Sequence, residues 1–550
     1  MLTTVWHWLS VAPRRAALVL GCLAIGLALP GLGRVEGLGH PDEQFYLSIA
    51  ADMADRGSIA PTHDGIDVFQ KPPLVFWAAR ICTLVLGRSA AAARLPGALA
   101  AGLLVFGAVL LTAELIEGSA EGLGTAAHGK HHAAPAVAGA LLLGSLGVVR
   151  FGRELMLDLP LVAALTLALW GFAAAARGKA SAALWAGLAS GVCLGIKGPI
   201  GVAVLAGAAL YPLWRERRLA VLRSRGFLWG LALGLAVSLP WYAWAIATHG
   251  RAFYAFHITE QYFSRFDSSH GQSRFNLLWG TLLYAAPFWP LAAVGLVQAL
   301  AGSRGAVRAA ERFSRRHWPL AWLVTFYGIF LIPKEHGLHY PVLVLVPLVV
   351  FAAVAQVPRA ILVAIAVSLA VVAVAFCALA AFPEVPLGWV VACASVGLLA
   401  AALWAAPAPA GPALGSVALA ASLNLAIGTI SPILGRPLLA PAAAALGRAQ
   451  AVATFEEHTG PYRFDADWST NTHEIWGDDL LTAYLDRGEL ILLPDHLRGE
   501  IAPPLLARLQ PVVTWRRTRP YLTFTDVVTA LRARNLDSLG ERWALYHAAP

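Results

Sequence analysis

Residues 181–214 read SAALWAGLASGVCLGIKGPIGVAVLAGAALYPLW, a stretch whose single charge is Lys197. About 20 mainly apolar residues cross the hydrocarbon core of a bilayer as a helix. The stretch therefore predicts two short crossings, 181–196 and 199–214, joined at Lys197-Gly198-Pro199. Pro199 suits the first position of a helix, where its missing N–H is not needed. A turn does not by itself call for a lysine. The N-terminus of the following helix is a natural anion site, and Lys197 adds a positive charge beside it.

Such apolar runs recur along the chain. Further spans are predicted near 16–33, 94–114, 133–152, 159–176, 226–247, 276–300, 318–333, 340–357, 360–382, 387–406 and 410–430, about thirteen in all. Composition agrees. Of 550 residues, 58% are hydrophobic and 13% charged, against about 25% charged in soluble domains. Mean hydropathy is +0.64. The run from Ala16 to Leu32 follows Arg14-Arg15, is followed by many more spans and lacks a clear small-x-small cleavage pattern, so it reads as an uncleaved first span. The five cysteines (Cys22, Cys82, Cys193, Cys377 and Cys393) lie in apolar stretches without a CxxC, and read as small hydrophobes rather than zinc ligands or disulfide partners.

The net charge of +9 would suggest nucleic acid in a soluble protein. Here its position decides otherwise. Arginines and lysines cluster between spans: Arg14-Arg15, Arg177 with Lys179, Arg215 to Arg225, and Arg304 to Arg316. This is the topology signal of a membrane protein, and nucleic-acid binding is not expected. The clusters put the N-terminus in the cytoplasm, and an odd number of spans puts the C-terminal region outside.

After about Arg448 charged and polar residues return, as in Glu456-Glu457-His458 and Asp465-Ala466-Asp467-Trp468. Short β-like runs (Glu489 to Leu493, Pro511 to Trp515) alternate with helical ones (Thr525 to Arg534). The expected fold is an all-α polytopic membrane protein with a small C-terminal extracytoplasmic α/β domain. Residues 1–435 form the membrane domain, with a long outer loop at 34–93, and residues 436–550 form the soluble one. In that loop Phe45, Ile49 and Met53 recur every fourth position before Gly57, which predicts an amphipathic interfacial helix capped by the glycine.

Ionisable groups near membrane depth are costly and need a reason. Several gather at the outer ends of spans. Asp42 and Glu43 open the interfacial helix, where acids also favour the helix dipole. Lys71 precedes Pro72-Pro73 and could snorkel to the interface. Asp158 precedes Pro160 and could cap its helix. Lys334, His336, His339 and Tyr340 repeat the Lys197 arrangement between two later spans. Arg265 and His270 lie in an outer polar loop, while His128-Gly129-Lys130-His131-His132 reads as a solvated inner loop rather than a metal tract. Four cations converging on one side suit a lipid phosphate, and a carboxylate beside them suits an acceptor hydroxyl. Together they point to group transfer from a lipid-linked phosphate.

The motifs His40-Pro41-Asp42-Glu43-Gln44-Phe45-Tyr46, Gln70-Lys71-Pro72-Pro73, Ala93-Arg94-Leu95-Pro96, Met156-Leu157-Asp158-Leu159-Pro160, Gly195-Ile196-Lys197-Gly198-Pro199, Leu239-Pro240-Trp241 and Lys334 to Tyr340 stand in one order over roughly residues 35–350. In this the chain resembles the GT-C membrane glycosyltransferases, in the branch of the aminoarabinose transferases of lipid A and the protein mannosyltransferases. The resemblance implies a sugar donor on undecaprenyl or another polyprenyl phosphate. It implies Asp42 as the outer-loop acid, Asp158 as a second cavity acid, and Lys71, Arg265 and Tyr340 as donor-phosphate contacts, with Lys197 and Lys334 beside them. Glu43, His270, His336 and His339 are further cavity candidates. The chain departs from the family pattern at Gln70, where an acid is frequent, and at Phe45, where the aminoarabinose enzymes tend to carry a basic residue.

The implied reaction is inverting transfer, in a bacterial inner membrane, to lipid A or another envelope glycolipid, or to serine and threonine of exported protein. No cofactor is called for, and a divalent metal at Asp42-Glu43 is compatible but not required. A transporter or flippase of lipid-linked sugars is the rival of another class. It predicts inverted repeats and helices broken at mid-membrane, whereas the charges here fall at span ends. A non-catalytic assembly subunit would explain the C-terminal domain but not the outer acids and cations.

Overall fold

The computed structural model describes residues 2–33, 41–116, 125–266, 273–301, 315–381, 385, 387–406, 410–434, 451–455, 471–518, 529, 532–533 and 540–548. Six described helices are long and apolar enough to cross a membrane: Ala90–Ile116, Asp158–Ala176, Arg225–His249, Arg359–Phe376, Leu387–Ala405 and Ala410–Ile427. A seventh span results if Phe275–Tyr284 and Trp289–Leu300, bent by 110°, count as one.

The remaining expected spans are shorter helices, so among the described residues length and composition pick out six or seven candidate crossings where thirteen were expected. The break at Gly198 shows why. It leaves helices Ala182–Lys197 and Pro199–Arg215 with 16 and 17 residues. At 1.5 Å per residue each is about 24–26 Å long, short of a core of about 30 Å. The expected span 133–152 is also divided. Helix Thr125–Leu143 stops, and Leu146–Phe151 starts afresh under a cap in which Ser145 Oγ accepts from the Val148 N–H. The bend within 276–300 falls at 285–288, where Pro287 has no N–H to continue a helix.

The helices around Lys197 pack through small residues. Gly187, Gly191 and Gly195 of Ala182–Lys197 face Gly230, Gly234 and Ser238 of Arg225–His249. A Cβ at Gly191 would lie 2.6 Å from the Gly234 backbone, and one at Gly230 would collide with the Leu184 carbonyl. Ser238 Oγ donates to Gly191 O at 2.8 Å. In lipid, where apolar contact alone does not drive association, such close approach with an interhelical hydrogen bond holds helices together. The outer face of Arg225–His249, with Trp229 69% and Leu233 54% exposed, is apolar and suited to lipid.

Ion pairs mark the two ends of this bundle. At one end Glu43 meets Arg94, with Nε–Oε1 at 2.7 Å and Nη2–Oε2 at 2.9 Å, and both side chains are buried. Arg94 also donates to Leu32 O, and Glu43 accepts from the Leu155 N–H at 2.8 Å. At the other end Glu114 meets Lys179 at 2.5 Å, and its carbonyl accepts from Arg177 and Arg315. Arg315, His317 and the Trp318 indole surround Glu216 there. Arg94 and Glu114 are 20 residues apart on Ala90–Ile116, about 30 Å of helix.

A helix forms over Pro41–Arg56 as expected, its apolar residues packed into the protein core, and Gly57 ends it at φ +67°. Ile49 and Met53 are buried and Phe45 is half-buried. The short helix Leu74–Leu86 follows Pro73, with Leu84 and Val85 exposed at its end.

The C-terminal residues form a mixed five-stranded sheet in the order 471–475, 451–455, 490–494, 540–548, 509–518. The first three strands are parallel and the last two antiparallel. Helix Asp478–Asp486 buries Leu481 and Leu485 against Phe455, Ile475, Ile491 and Leu493. Two expected strands are present, displaced to Leu490–Pro494 and Leu509–Thr518. Pro511 sits on an edge strand beside a register shift, where its missing N–H interrupts no inner ladder. The expected helix at 525–534, and the acidic stretches at 456–458 and 465–468, lie outside the described residues or almost so.

Candidate functional site

The Glu43–Arg94 end of the bundle gathers several of the sequence candidates. Asp158 begins its helix and Lys197 ends the next one. Because those helices run antiparallel, the two residues meet: Lys197 Nζ donates to Asp158 Oδ1 at 2.6 Å, with the side chains 12% and 3% exposed. Each charge sits at the helix end whose dipole favours it. The Lys197 ammonium lies 5.4 Å from the Tyr340 ring centre, within reach of a cation–π attraction. The Tyr340 ring in turn stacks edge-on against His339 at 4.6 Å. His339 Nε2 is 4.0 Å from Asp42 Oδ2. A chain of contacts therefore runs Asp158–Lys197–Tyr340–His339–Asp42. Its two acids differ in setting: Asp42 is 45% exposed while Asp158 is buried.

Lys71 reaches this end by another route. Its Nζ donates to Gln261 Oε1 at 2.9 Å. Gln261 belongs to a π-helix, Ala255–Phe263, a geometry that is rare and concentrates at functional sites. The next residue, Tyr262, donates its hydroxyl to Lys197 O at 3.3 Å. His257 of the same segment is buried, with Nδ1 2.6 Å from Phe69 O. A carbonyl can only accept, so Nδ1 carries the proton. Burial depresses the His257 pKa; the bond to Phe69 opposes this, and the charge of Lys71 adds to it. One π-helix thus holds both lysine-bearing segments. Gly198 makes room for it. Its φ of +68° is open to glycine, and a Cβ there would lie 2.5 Å from the Tyr262 hydroxyl and 3.2 Å from that of Tyr242.

Glu43 has its carboxylate engaged by Arg94 and the Leu155 N–H, so Asp42 and Glu43 do not converge on one cation. Among the described residues no three His, Cys, Asp or Glu side chains form a metal-holding group. His336 is buried and its carbonyl accepts from Asn276. Lys334 stays exposed in the segment before it. His270, His40 and the side chain of Arg265 lie outside the described residues.

Sequence reasoning passed over His257, Gln261 and Tyr262, and also the charged run Arg150, Arg153, Glu154. Arg153 is buried and bonds Asn424, Pro30 O and Leu27 O. Burial raises the Glu154 carboxyl to about 8, against the opposing charge of Arg150 and with the help of Glu43. Three charges inside an otherwise apolar stretch were a legible signal for this run. The π-helix had none. A cavity of about 1150 Å³ opens at the Glu114 end, away from this cluster.

Residues 70–244 match the sequence family described as dolichyl-phosphate-mannose-protein mannosyltransferase. That segment holds Lys71, Asp158 and Lys197. The family resemblance holds. Two curated relatives of this GT-C type are undecaprenyl phosphate-alpha-4-amino-4-deoxy-L-arabinose arabinosyl transferases. The one from Pseudomonas savastanoi pv. phaseolicola is 29% identical over 285 residues, 50% of this chain and 48% of the relative. The one from Edwardsiella ictaluri is 28% identical over 311 residues, 54% and 51% of the two chains. The chain spans about half the length of the curated relatives it matches. In structure it is similar to ArnT from Cupriavidus metallidurans, crystallised with undecaprenyl phosphate. The TM-score is 0.64 at 16% identity, covering 96% of this chain and 97% of that one. The apo form of the same protein gives a TM-score of 0.65. The shared fold therefore extends over the membrane part and the C-terminal sheet together.

Proposed function

We propose that this chain is a glycosyltransferase that moves a sugar from a polyprenyl phosphate to an acceptor at the outer face of a bacterial inner membrane. The observation that carries the reading is the buried Asp158–Lys197 pair beneath Tyr340, joined through His339 to the half-exposed Asp42. It puts a fixed cation and an accessible carboxylate on one site at the end of the helices.

In the proposed reaction an acceptor hydroxyl attacks the anomeric carbon from the face opposite the phosphate. The bond from that carbon to the phosphate oxygen breaks, and polyprenyl phosphate leaves. The hydroxyl proton passes to Asp42, and the anomeric centre inverts. A sugar phosphate already has a good leaving group. Catalysis therefore asks chiefly for charge stabilisation by preorganised cations and for a positioned base. Lys71, Lys197, Lys334, Arg265 and the Tyr340 hydroxyl are the proposed phosphate contacts. Asp158 holds the Lys197 ammonium in place, and the π-helix fixes the backbone on either side.

The relatives that act with aminoarabinose favour lipid A or a related envelope glycolipid as acceptor. The matched family description favours exported protein as the second acceptor class. The first experiment supplies proteoliposomes of wild type and Asp42→Asn with radiolabelled undecaprenyl-phosphate sugars and envelope extract. Label moving to lipid or protein with wild type, and not with the folded variant, supports the reading and identifies the acceptor. Label that only changes leaflet would replace transfer by flipping.

A further inference from the structure

The Glu114 end of the bundle holds a cavity that the proposed transfer does not use. It measures about 1150 Å³, just above the range of about 300–1,000 Å³ for small-molecule sites. Its wall is built from the start of Pro13–Ala28, the end of Ala90–Ile116 and the residues that open Ala182–Lys197. The wall is mostly apolar, with Leu18, Phe106, Leu110, Trp170 and Trp185.

The charges at its mouth are unbalanced. Arg14, Arg15 and Lys179 line it with one acid, Glu114. Lys179 is already 2.5 Å from Glu114. Arg14 and Arg15 are exposed, and neither has a carboxylate within ion-pair distance among the described residues. Arg15 lies 5.4 Å from the Trp8 ring centre, which orients it without neutralising it. Two guanidinium groups with no carboxylate partner among the described residues, set over an apolar hollow, complement a phosphate headgroup above hydrocarbon tails. Guanidinium is matched to phosphate oxygens in pairs, and basic pockets between transmembrane helices take anionic lipid headgroups.

We propose that this cavity binds an anionic two-tailed phospholipid of the leaflet at the arginine-rich end. A polyprenyl phosphate carries one chain, and its phosphate is called for at the other end of the helices, about 30 Å away. The paired arginines suit the phosphate of an anionic membrane phospholipid. The inference rests on the transfer reading only in setting polyprenyl phosphate aside.

The test is native mass spectrometry of the full chain in detergent, titrated with dioleoylphosphatidylglycerol, dioleoylphosphatidylcholine or undecaprenyl phosphate. Wild type retains one phosphatidylglycerol in preference to phosphatidylcholine, and salt weakens the retention. Arg14→Gln with Arg15→Gln lowers the phosphatidylglycerol affinity roughly 30-fold, the effect of removing two cations that face an anionic lipid. Ala113→Phe narrows the wall without touching the charge and lowers retention too, with a melting temperature unchanged in lipid-free detergent. Equal retention of the two phospholipids by wild type overturns the proposal. So does unchanged binding in both variants, or undecaprenyl phosphate displacing phosphatidylglycerol from the site at lower concentration. If the double arginine variant does not fold, Ala113→Phe and the salt dependence decide.

Discussion

Breaking the Asp158–Lys197 pair separates its structural role from its chemical one. Asp158→Leu leaves the Lys197 ammonium, 12% exposed in the wild type, with the Tyr340 ring beside it. At an effective dielectric constant of about 20, unit charges 2.6 Å apart attract by roughly 6 kcal/mol before desolvation is counted. Removing one partner of a buried pair costs about 3–5 kcal/mol, because the other charge is left uncompensated. Each residue here also sits at the helix end that favours its charge, an effect worth about 0.3–1 kcal/mol. The expected loss for either single variant is therefore near the lower end, about 3 kcal/mol. The double variant Asp158→Leu/Lys197→Met removes both charges and recovers most of that stability, as apolar replacements of buried pairs do. It does not recover transfer, because the cation is gone. The assay is denaturant unfolding in micelles for the four proteins of the cycle, with sugar transfer in proteoliposomes alongside. A loss below about 1 kcal/mol in both single variants would mean that solvent already screens the pair. Wild-type transfer by the double variant would remove Lys197 from the reaction.

Three further outcomes can be checked in the same preparations. Gly198→Ala places a side chain at φ +68° and against the Tyr262 hydroxyl; backbone strain of about 1–3 kcal/mol lowers the melting temperature and transfer falls, and Tyr262→Phe in the same chain relieves only the collision. Gly191→Leu drives a side chain into the Gly234 backbone, so the two helices part and little folded protein is recovered, whereas Leu at the open Gly388 has little effect; equal yields would contradict the close packing. At the arginine-rich end, burial would raise the Glu216 pKa, but hydrogen bonds from His317, Arg315 and Trp318 and the charge of Arg315 outweigh it and hold it at about 2. A depressed carboxylate stabilises the fold above its unfolded value of about 4.5, and this contribution is lost as pH falls towards 2. The gap in melting temperature between wild type and Glu216→Gln should therefore close between pH 5 and pH 2, and a constant gap would refute the clamp.

Much of this was legible in the residues, for reasons that differ by element. The long spans announce themselves by apolar length alone. The Pro41–Arg56 helix was readable because Phe45, Ile49 and Met53 keep helical spacing up to a glycine. The meeting of Asp158 with Lys197 was not, since it depends on two helices running antiparallel from a shared end. Asp42 and Glu43 read as a pair because they are adjacent, but consecutive residues on a helix point about 100° apart. Glu43 turns inward to Arg94 while Asp42 stays open. The bend at 285–288 and the π-helix escaped because neither changes the hydropathy from which spans are counted. The Lys71–Gln261 bond joins residues 190 positions apart, a distance that local patterns do not reach.

The π-helix has a consequence for how the site could let go of what it binds. Its hydrogen bonds skip one residue more than those of an α-helix, i to i+5 rather than i to i+4. That brings His257, Gln261 and Tyr262 to the chain near Phe69, Lys71 and Lys197 at once. A shift of Ala255–Phe263 into α-helical register would rotate those three side chains out of step together. Deleting a single residue within 258–260 should convert the segment to α-helical register and break the Lys71–Gln261 and Tyr262–Lys197 hydrogen bonds together.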